Sequence, residues 1–411
     1  MKRLISLSIF IFIASIALGQ LRLDTSNTVE DLVKKQLLQS NSDLFISNIR
    51  FTGLNYSIAS FTNESPEELI DAGIILSTGN VFSAKGPNSA TNVGTQASAR
   101  RDVDLQAIAT GVVIDAVVLE FDLIALRDSI EFTYVFASEE YPEYVDKGVN
   151  DVFGFFIEEI GARGVRPLNI ARLPKSNQKV TIDNVNHRRN EEFFLRSDYL
   201  SAHNNAFWEQ NKSMMMRARI FEFDGFTVPL KAVAKLKQGK KYHLKMAIAD
   251  VGDRYFDSAV LIKAKSLSSK GPRIEKADSI VMEEVKKSMN FSEQISFDEN
   301  LNFSLQINFD VNDATIMEES LAPLKQLVAL MNQLNSLKVD LIGHTDSDGD
   351  TQSNQILSTK RAETVKAYLQ SKGINADRLS STGKGELSPI ESNETISGKA
   401  MNRRVEFQLS Y

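Results

Sequence analysis

The apolar residues of this chain change period near Leu301. From about Ser26 to Lys265 they fall in short runs and alternating segments separated by turn residues. Gly73–Ser77, Val117–Leu123, Ser129–Phe136, Val152–Ile157, Phe226–Ala234, His243–Ala249 and Ser258–Ala264 are examples. Successive strand residues face opposite sides of a sheet, so this pattern predicts strands. Only Val29, Leu32, Val33, Leu37 and Leu38 repeat at helical spacing. So many strands with so little helix predict a mostly antiparallel β-sandwich or jelly-roll-like domain.

Beyond Leu301, strand-like alternation at Phe303, Leu305, Ile307 and Phe309 gives way to a helical stripe. The stripe runs through Leu321, Leu324, Leu327, Val328, Met331 and Leu334, and Thr315-x-x-Glu318 reads as its capping box. A strand at Val339–His344 follows, then a helix from about Ser353 to Ser371 that Gly373 stops, then strands at Leu379–Thr382 and Arg404–Leu409. This βαβαβ order predicts a compact α/β domain. The chain is therefore multidomain: a β domain over 20–265, a linker over 266–299 and the α/β domain over 300–411. Ser266–Pro272 is the polar, Gly- and Pro-bearing part of that linker.

Residues 1–19 read as a signal peptide. Lys2 and Arg3 precede an apolar stretch, Leu4–Leu18, and Ala17-Leu18-Gly19 places small residues ahead of a cut before Gln20. A spanning helix needs about twenty apolar residues, and no later stretch reaches that length, so no membrane span is expected in the mature chain. Lys+Arg 47 against Asp+Glu 53 gives a net charge of −6, and loss of Lys2 and Arg3 takes it to −8. That balance argues against nucleic acid as a partner. With no cysteine, disulfides, thiolate metal sites, thiol nucleophiles and a lipid-modified cysteine are all excluded. Export without cysteine suits a bacterial envelope.

The carboxy-terminal domain carries five separated motifs. They are Phe309-Asp310-x-Asn312, Gly343-His344-Thr345-Asp346, Leu357-Ser358-x-x-Arg361-Ala362, Gly383-Lys384-Gly385-Glu386 and Asn402-Arg403-Arg404-Val405-Glu406. In this order they closely resemble the OmpA-like peptidoglycan-binding domain. The resemblance implies a ligand, the diaminopimelate of the wall stem peptide, which carries an ammonium and a carboxylate on one carbon. By match, Asp346 would take the ammonium and Arg361 the carboxylate, with Asn312, Thr345, Asn354 and Arg403 lining the same pocket. A planar guanidinium suits a carboxylate better than lysine does. Asp346 and Arg361 are accordingly expected at a pocket rather than in the core. Asp346–Asp350 has the look of a calcium loop but carries Thr351 at position six and Leu357 at position twelve, which excludes it.

The first domain contains Ala72–Asn80, Phe136–Tyr144, Asn150–Phe155, Ala249–Asp253 and Asp257–Val260. Together these segments resemble the choice-of-anchor L domain of bacterial, chiefly Bacteroidetes-type, exported proteins, a resemblance that leaves the domain's activity open. Glu139, Glu140, Asn150, Asp151, Asp250, Asp253 and Asp257 fall at the ends of predicted strands. Such oxygens are candidate ligands of a structural Ca²⁺, the only cofactor considered. The alternative is that they cap turns and face solvent. Tyr141, Tyr144 and Trp208 are weighed as a sugar-stacking surface against the commoner core role.

The reading is a non-catalytic exported envelope protein of a Gram-negative bacterium. It would be periplasmic, wall-bound and associated with the outer membrane, with an unknown protein or glycan partner for its β domain. The alternative is a wall hydrolase using Glu139 and Glu140, for which adjacent strand residues point to opposite faces. A stator-like subunit would need the amino-terminal helix to be retained.

Overall fold

The computed structural model describes residues 21–410 apart from 41, 64–68, 87, 89–99, 149, 163, 198–220, 253–255, 276, 278, 282, 284–294, 298–302, 306 and 334–336. The expected signal peptide, Trp208 and Asp253 lie outside the described residues.

The strands of the first domain are β1 (Leu21–Asp24), β2 (Leu44–Thr52), β3 (Ile58–Asn63), β4 (Ala72–Ser77), β5 (Val113–Ala125), β6 (Ser129–Ser138), β7 (Val152–Glu159), β8 (Leu168–Asn169), β9 (Phe194–Arg196), β10 (Gly225–Thr227), β11 (Leu230–Lys235), β12 (Lys241–Val251), β13 (Ser258–Lys263) and β14 (Ser268–Lys270). One sheet runs β1-β3-β4-β13-β6-β10-β9, with β11 and β14 also paired to β6; the other runs β2-β5-β12-β7-β8. Every pairing in both is antiparallel.

Strand β6 shows why the sheets stack. Ile130, Phe132, Tyr134 and Phe136 alternate onto one face and are buried. They meet β7 across the sandwich, with Phe132–Phe155 and Tyr134–Phe155 centroids 4.9 Å apart and Phe136–Phe153 at 4.8 Å. Burying each such ring contributes roughly 1.5–3 kcal/mol, and the edge-on and stacked contacts add to that. The opposite face of the β6 sheet holds a second cluster with Val135, Ala137, Phe226 and Leu261. Its strands are therefore apolar on both faces, which is why they read as continuous runs.

The expected early helix is one α-helical turn, α1 (Val29–Asp31), continued by a π-helical stretch that buries Leu32, Val33 and Leu37. A further helix, α2 (Val103–Ile108), is capped by Asp102 and lays Leu105 on the outer face of the second sheet. Phe226–Ala234 is two strands rather than the one expected, because Pro229 has no N–H to donate to a ladder. Strand β14 lies among the residues expected as linker.

After a short hairpin of β15 (Ile295–Phe297) and β16 (Phe303–Leu305), the second domain contains β17 (Ile307–Asn308), α3 (Leu321–Gln333), β18 (Lys338–Gly343), α4 (Thr351–Ser371), β19 (Leu379–Gly383), α5 (Ile396–Asn402) and β20 (Arg404–Ser410). Its sheet order is β17-β20-β18-β19, with β18 and β19 parallel. A parallel pair needs a crossover, which α4 supplies. Leu324, Leu327 and Leu330 of α3 and Ala362, Val365 and Leu369 of α4 close over Val339, Leu341, Val405 and Phe407.

Helix α4 positions the site. Asp350 caps it by accepting from the Ser353 N–H at 2.9 Å. At the other end Gly373 adopts φ +89°, and the Ile374 N–H reaches the Leu369 carbonyl at 3.2 Å, the stop expected of a glycine there. Gly343 lets α4 lie close on β18, since a Cβ would sit 1.9 Å from the Ser358 carbonyl oxygen. The expected capping box fails. The Thr315 N–H and hydroxyl both bond Asp313 Oδ1 at 2.8 Å, and a 3-10 turn with no side-chain cap precedes α3.

Candidate functional site

Asn312, Thr345, Asp346, Asn354, Arg361 and Arg403 all line one cavity of about 100 Å³, beside Val311 and Leu357. Five elements bring them there. Asn312 follows β17 in a turn and takes φ +56°, a left-handed conformation that asparagine tolerates. Thr345 and Asp346 leave the end of β18, Asn354 and Arg361 come from α4, and Arg403 lies between α5 and β20. The glycine loop after β19 is the brace. The Gly385 carbonyl accepts the Thr345 N–H at 3.0 Å, and the Glu386 carboxylate accepts from Asn354 Nδ2 and from the Thr351 hydroxyl.

The charges inside are already engaged. Arg403 Nη1 meets Asp346 Oδ2 at 2.9 Å, and Asp346 Oδ1 accepts the Asp348 N–H at 3.1 Å. The Thr345 hydroxyl is buried and has no hydrogen-bond partner. Arg361 corrects the sequence expectation that it stands clear of the core. It is 0% exposed and lies 5.2 Å from the centre of the Phe309 ring. Its Nε donates to the Asp313 carbonyl at 2.8 Å, Nη1 to His344 at 3.0 Å and Nη2 to Asp310 at 2.8 Å. Burial, with Arg403 nearby, lowers its pKa to about 10. Arg361 thus ties the turn after β17 to the end of β18, a framework role that motif matching does not reveal.

Two other motif residues are framework as well. Asn402, fully buried, accepts the Ile390 and Glu391 N–H groups at 2.8 and 3.1 Å. Arg404 pairs with Glu406. Glu406 lies 3.4 Å from His344, and these two neighbours hold its pKa down at about 2.

In the first domain the acidic residues are buried rather than facing solvent as turn caps. Glu139 and Glu140 are 1% exposed, Asp151, Asp250 and Asp257 are 2%, and Asn150 is 7%. They do not form one cluster, although Asp257 lies near both Glu139 and Asp250. Glu140 accepts the Asp151 N–H at 3.0 Å, Asp151 accepts the Val251 N–H at 3.2 Å, and burial beside Asp151 raises the Asp250 pKa well above the usual carboxylate range. Asn150 Nδ2 instead donates to Asp183. Glu139 stands apart, facing Asp224, Glu222 and Asp257, and burial among them pushes its pKa to about 11. Among the described residues no group of three or more histidine or acidic side chains is arranged to hold a metal ion. Tyr141 offers no sugar platform: it is 0% exposed and its hydroxyl donates to the Val185 carbonyl at 2.7 Å. Tyr144 packs on Phe256 at 4.7 Å.

An antiparallel β-sandwich joined to a helix-covered α/β domain with a charged pocket defines a chain of two modules. The chain belongs to the choice-of-anchor L domain family, whose model matches residues 22–268, more than half of its length. Residues 308–403 match the OmpA family. Over 96 residues it is 42% identical to outer membrane protein A of Bordetella avium, covering 23% of this chain and 50% of that protein. Over 99 residues it is 37% identical to the probable lipoprotein YiaD of Escherichia coli, covering 24% and 45%. The chain spans about half the length of these curated relatives. Among solved structures, the peptidoglycan-associated lipoprotein from Burkholderia pseudomallei aligns at 23% identity and TM-score 0.25, over 26% of this chain and 89% of that one. No helix among the described residues is long and apolar enough to cross a membrane.

Proposed function

We propose that the protein is a non-catalytic, exported envelope component that grips peptidoglycan through the pocket at Asp346 and Arg403 while its β domain meets a partner. The observation that carries this reading is the Asp346 carboxylate and two guanidiniums around a cavity of about 100 Å³, where Asp348, the second acid of the lining, is paired with Lys399. A zwitterion such as the end of diaminopimelate needs a fixed anion and a fixed cation close together. A guanidinium has five N–H groups. Arg361 commits three to backbone carbonyls, which leaves two for a ligand carboxylate and fixes the plane in which they point. Binding is then an exchange: the ammonium replaces Arg403 on Asp346, and the freed Arg403 turns to the ligand carboxylate. An internal ion pair keeps both charges satisfied before the ligand arrives. The amino-terminal stretch, cut before Gln20, would deliver the chain to the periplasmic side.

The test is cosedimentation of the purified protein with isolated peptidoglycan, with free diaminopimelate as competitor. Asp346→Asn should lose at least tenfold in affinity, and the competitor should release wild type. Binding unchanged by both would refute the assignment.

A further inference from the structure

Strand β11 pairs with β6 along one side and, among the described residues, has no strand on the other. Which of its groups face outward follows from the ladder. The Leu236 N–H bonds the Asp128 carbonyl at 2.7 Å, so the pairs two and four residues earlier in β11, Ala234 with Ile130 and Ala232 with Phe132, are also hydrogen-bonded ones. The Thr133 N–H agrees, turning away from β11 to the Ser266 hydroxyl at 3.1 Å. The N–H and C=O groups of Lys231, Val233 and Lys235 therefore point away from β6. Strand β9 fills the same outer row beside β10, and the row ends where the Val228 N–H meets the Phe193 carbonyl at 2.9 Å. Beyond Phe193 no described strand continues it beside β11.

The open row borders a cleft of about 610 Å³. One wall is Val228–Lys231 and Val233, with Phe193 at its end; the other is β8 and the segment after it, including Leu168, Ile170 and Arg172. Leu168 and Val233 are 55% and 51% exposed, so the cleft is edged by apolar side chains that the chain leaves in water. The charges are of one sign: Arg172 and Lys231 are among the lining residues and no carboxylate is. On the outer face of β11 the exposed side chains are Lys231, Val233 and Lys235. Lys231 lies 3.6 Å from Glu131, which Lys270 also approaches at 3.7 Å, so one acid serves two cations. Arg172 spends Nε and Nη1 on the Asn169 and Asn177 carbonyls, at 2.8 and 2.7 Å, which fixes its plane and leaves further N–H groups for a carboxylate.

We propose that β11 takes an extended acidic peptide as an added antiparallel strand, in the row that β9 begins. The inference rests on the reading that the β domain meets a partner, and it names that partner's chemistry. Main-chain groups of Lys231, Val233 and Lys235 hold the strand, and its side chains alternate between two environments. Those facing outward lie opposite Lys235, Val233 and Lys231, which suits an acid, a β-branched residue and an acid in turn. Those between them turn into the cleft towards Leu168 and Ile170 and are apolar. A second copy of this chain does not fit. Two β11 strands paired antiparallel about Val233 would set each Lys231 opposite a Lys235, and like charges directly opposite are destabilising. Lysines on an edge keep unwanted strands from adding to it, and the same charges admit an acidic one.

The experiment titrates the purified protein into fluorescently labelled Ser-Glu-Val-Thr-Val-Glu-Ser, read by anisotropy without peptidoglycan, so that failure of wall binding leaves the result untouched. Wild type should bind saturably, with Kd on the order of 10–100 μM. Val233→Pro removes an outward N–H and no bond to β6. That variant should melt within a few degrees of wild type and still sediment with peptidoglycan, yet bind the peptide about tenfold more weakly. Lys235→Glu should also lose about tenfold, and recover affinity with the peptide carrying Lys in place of its first Glu. Absence of saturable binding at millimolar peptide would overturn the proposal, as would equal affinity of wild type for a peptide with both Glu replaced by Lys. A dimer of the chain that Val233→Pro dissolves would overturn it too, giving the edge to a second copy.

Discussion

Replacing Arg361 by alanine should destabilise the carboxy-terminal domain before any question of ligand arises. The side chain makes three hydrogen bonds to the carbonyls of Asp310, Asp313 and His344, at 2.8, 2.8 and 3.0 Å. Bonds from a charged donor contribute about 1.5–3 kcal/mol each, and the contact with Phe309 adds about 1 kcal/mol. With each bond taken at its low end the gross loss is roughly 6 kcal/mol, and against it stands the relief of an unfavourable burial. The fall of its pKa to about 10 shows that the surroundings disfavour the cation. From the ordinary value of 12.5 that fall corresponds to about 3 kcal/mol. The net cost is about 3 kcal/mol, a large share of the 5–15 kcal/mol that holds a domain together. Lysine keeps the charge but donates from a single nitrogen, so it cannot reach three diverging carbonyls, and Arg361→Lys should recover less than half of the loss. The only tryptophan, Trp208, belongs to the first domain, so its fluorescence is the wrong probe. Hydrogen exchange of peptides covering β18 and β20 reports the correct unit, and protection there should fall about a hundredfold. A fall under fivefold would refute the framework role, and loss of wall binding by Arg361→Ala could then be read as direct ligand loss. With the framework role intact, Asp346→Asn is the cleaner probe of binding.

Two further outcomes follow from the same domain. Glu406 is held near pKa 2, against an ordinary 4.5, by His344 and Arg404. A depressed acid stabilises the fold above its unfolded pKa and loses that contribution as pH falls towards its folded one, so the loss should fall between about pH 4.5 and 2. With the side chain 36% exposed, screening reduces the contribution to about 1 kcal/mol. Glu406→Gln should flatten the acid limb of a melting-temperature profile, and a profile parallel to wild type would count against the pairing. Gly343→Ala puts a Cβ 1.9 Å from a backbone oxygen of α4 and should cost about 3 kcal/mol, read as an early calorimetric transition; a shift of a degree or less would mean that α4 can lift away freely.

What was legible in the sequence follows from what each interaction spans. The α4 boundaries were within reach because Asp350, Gly373 and Ile374 act on groups a few residues away. Period-two alternation in the first half of β6 and in β11 announced strands because there one face is buried and the other is not. The six pocket residues were assembled by motif resemblance, which names residues but not their contacts. Asp346 meets Arg403, 57 residues on. The partners of Arg361 are main-chain carbonyls, which have no sequence identity to read, so its framework role was invisible. Thr315 misled for the opposite reason. Its local pattern was right, but Asp313 competes for the same groups at shorter range, and a 3-10 turn intervenes before α3.

The first domain shows the harder limit. Asn88 and Asp224 lie 136 positions apart, and only the β10–β6–β13 register sets Asp224 and Asp257 on either side of Glu139. Acidic residues near strand ends are common enough to be dismissed as solvated turns, and the sequence holds no sign that these are buried. The sign appears only with three strands in register, when the pairing rule that puts Ser258, Ser138 and Gly225 side by side also forces three carboxylates together one step later. A sheet that merely needed to close there would do better with serine or threonine, which hydrogen-bond across strands without repulsion. The burial of these acids is a property of the strand register, carried by no single stretch of the sequence.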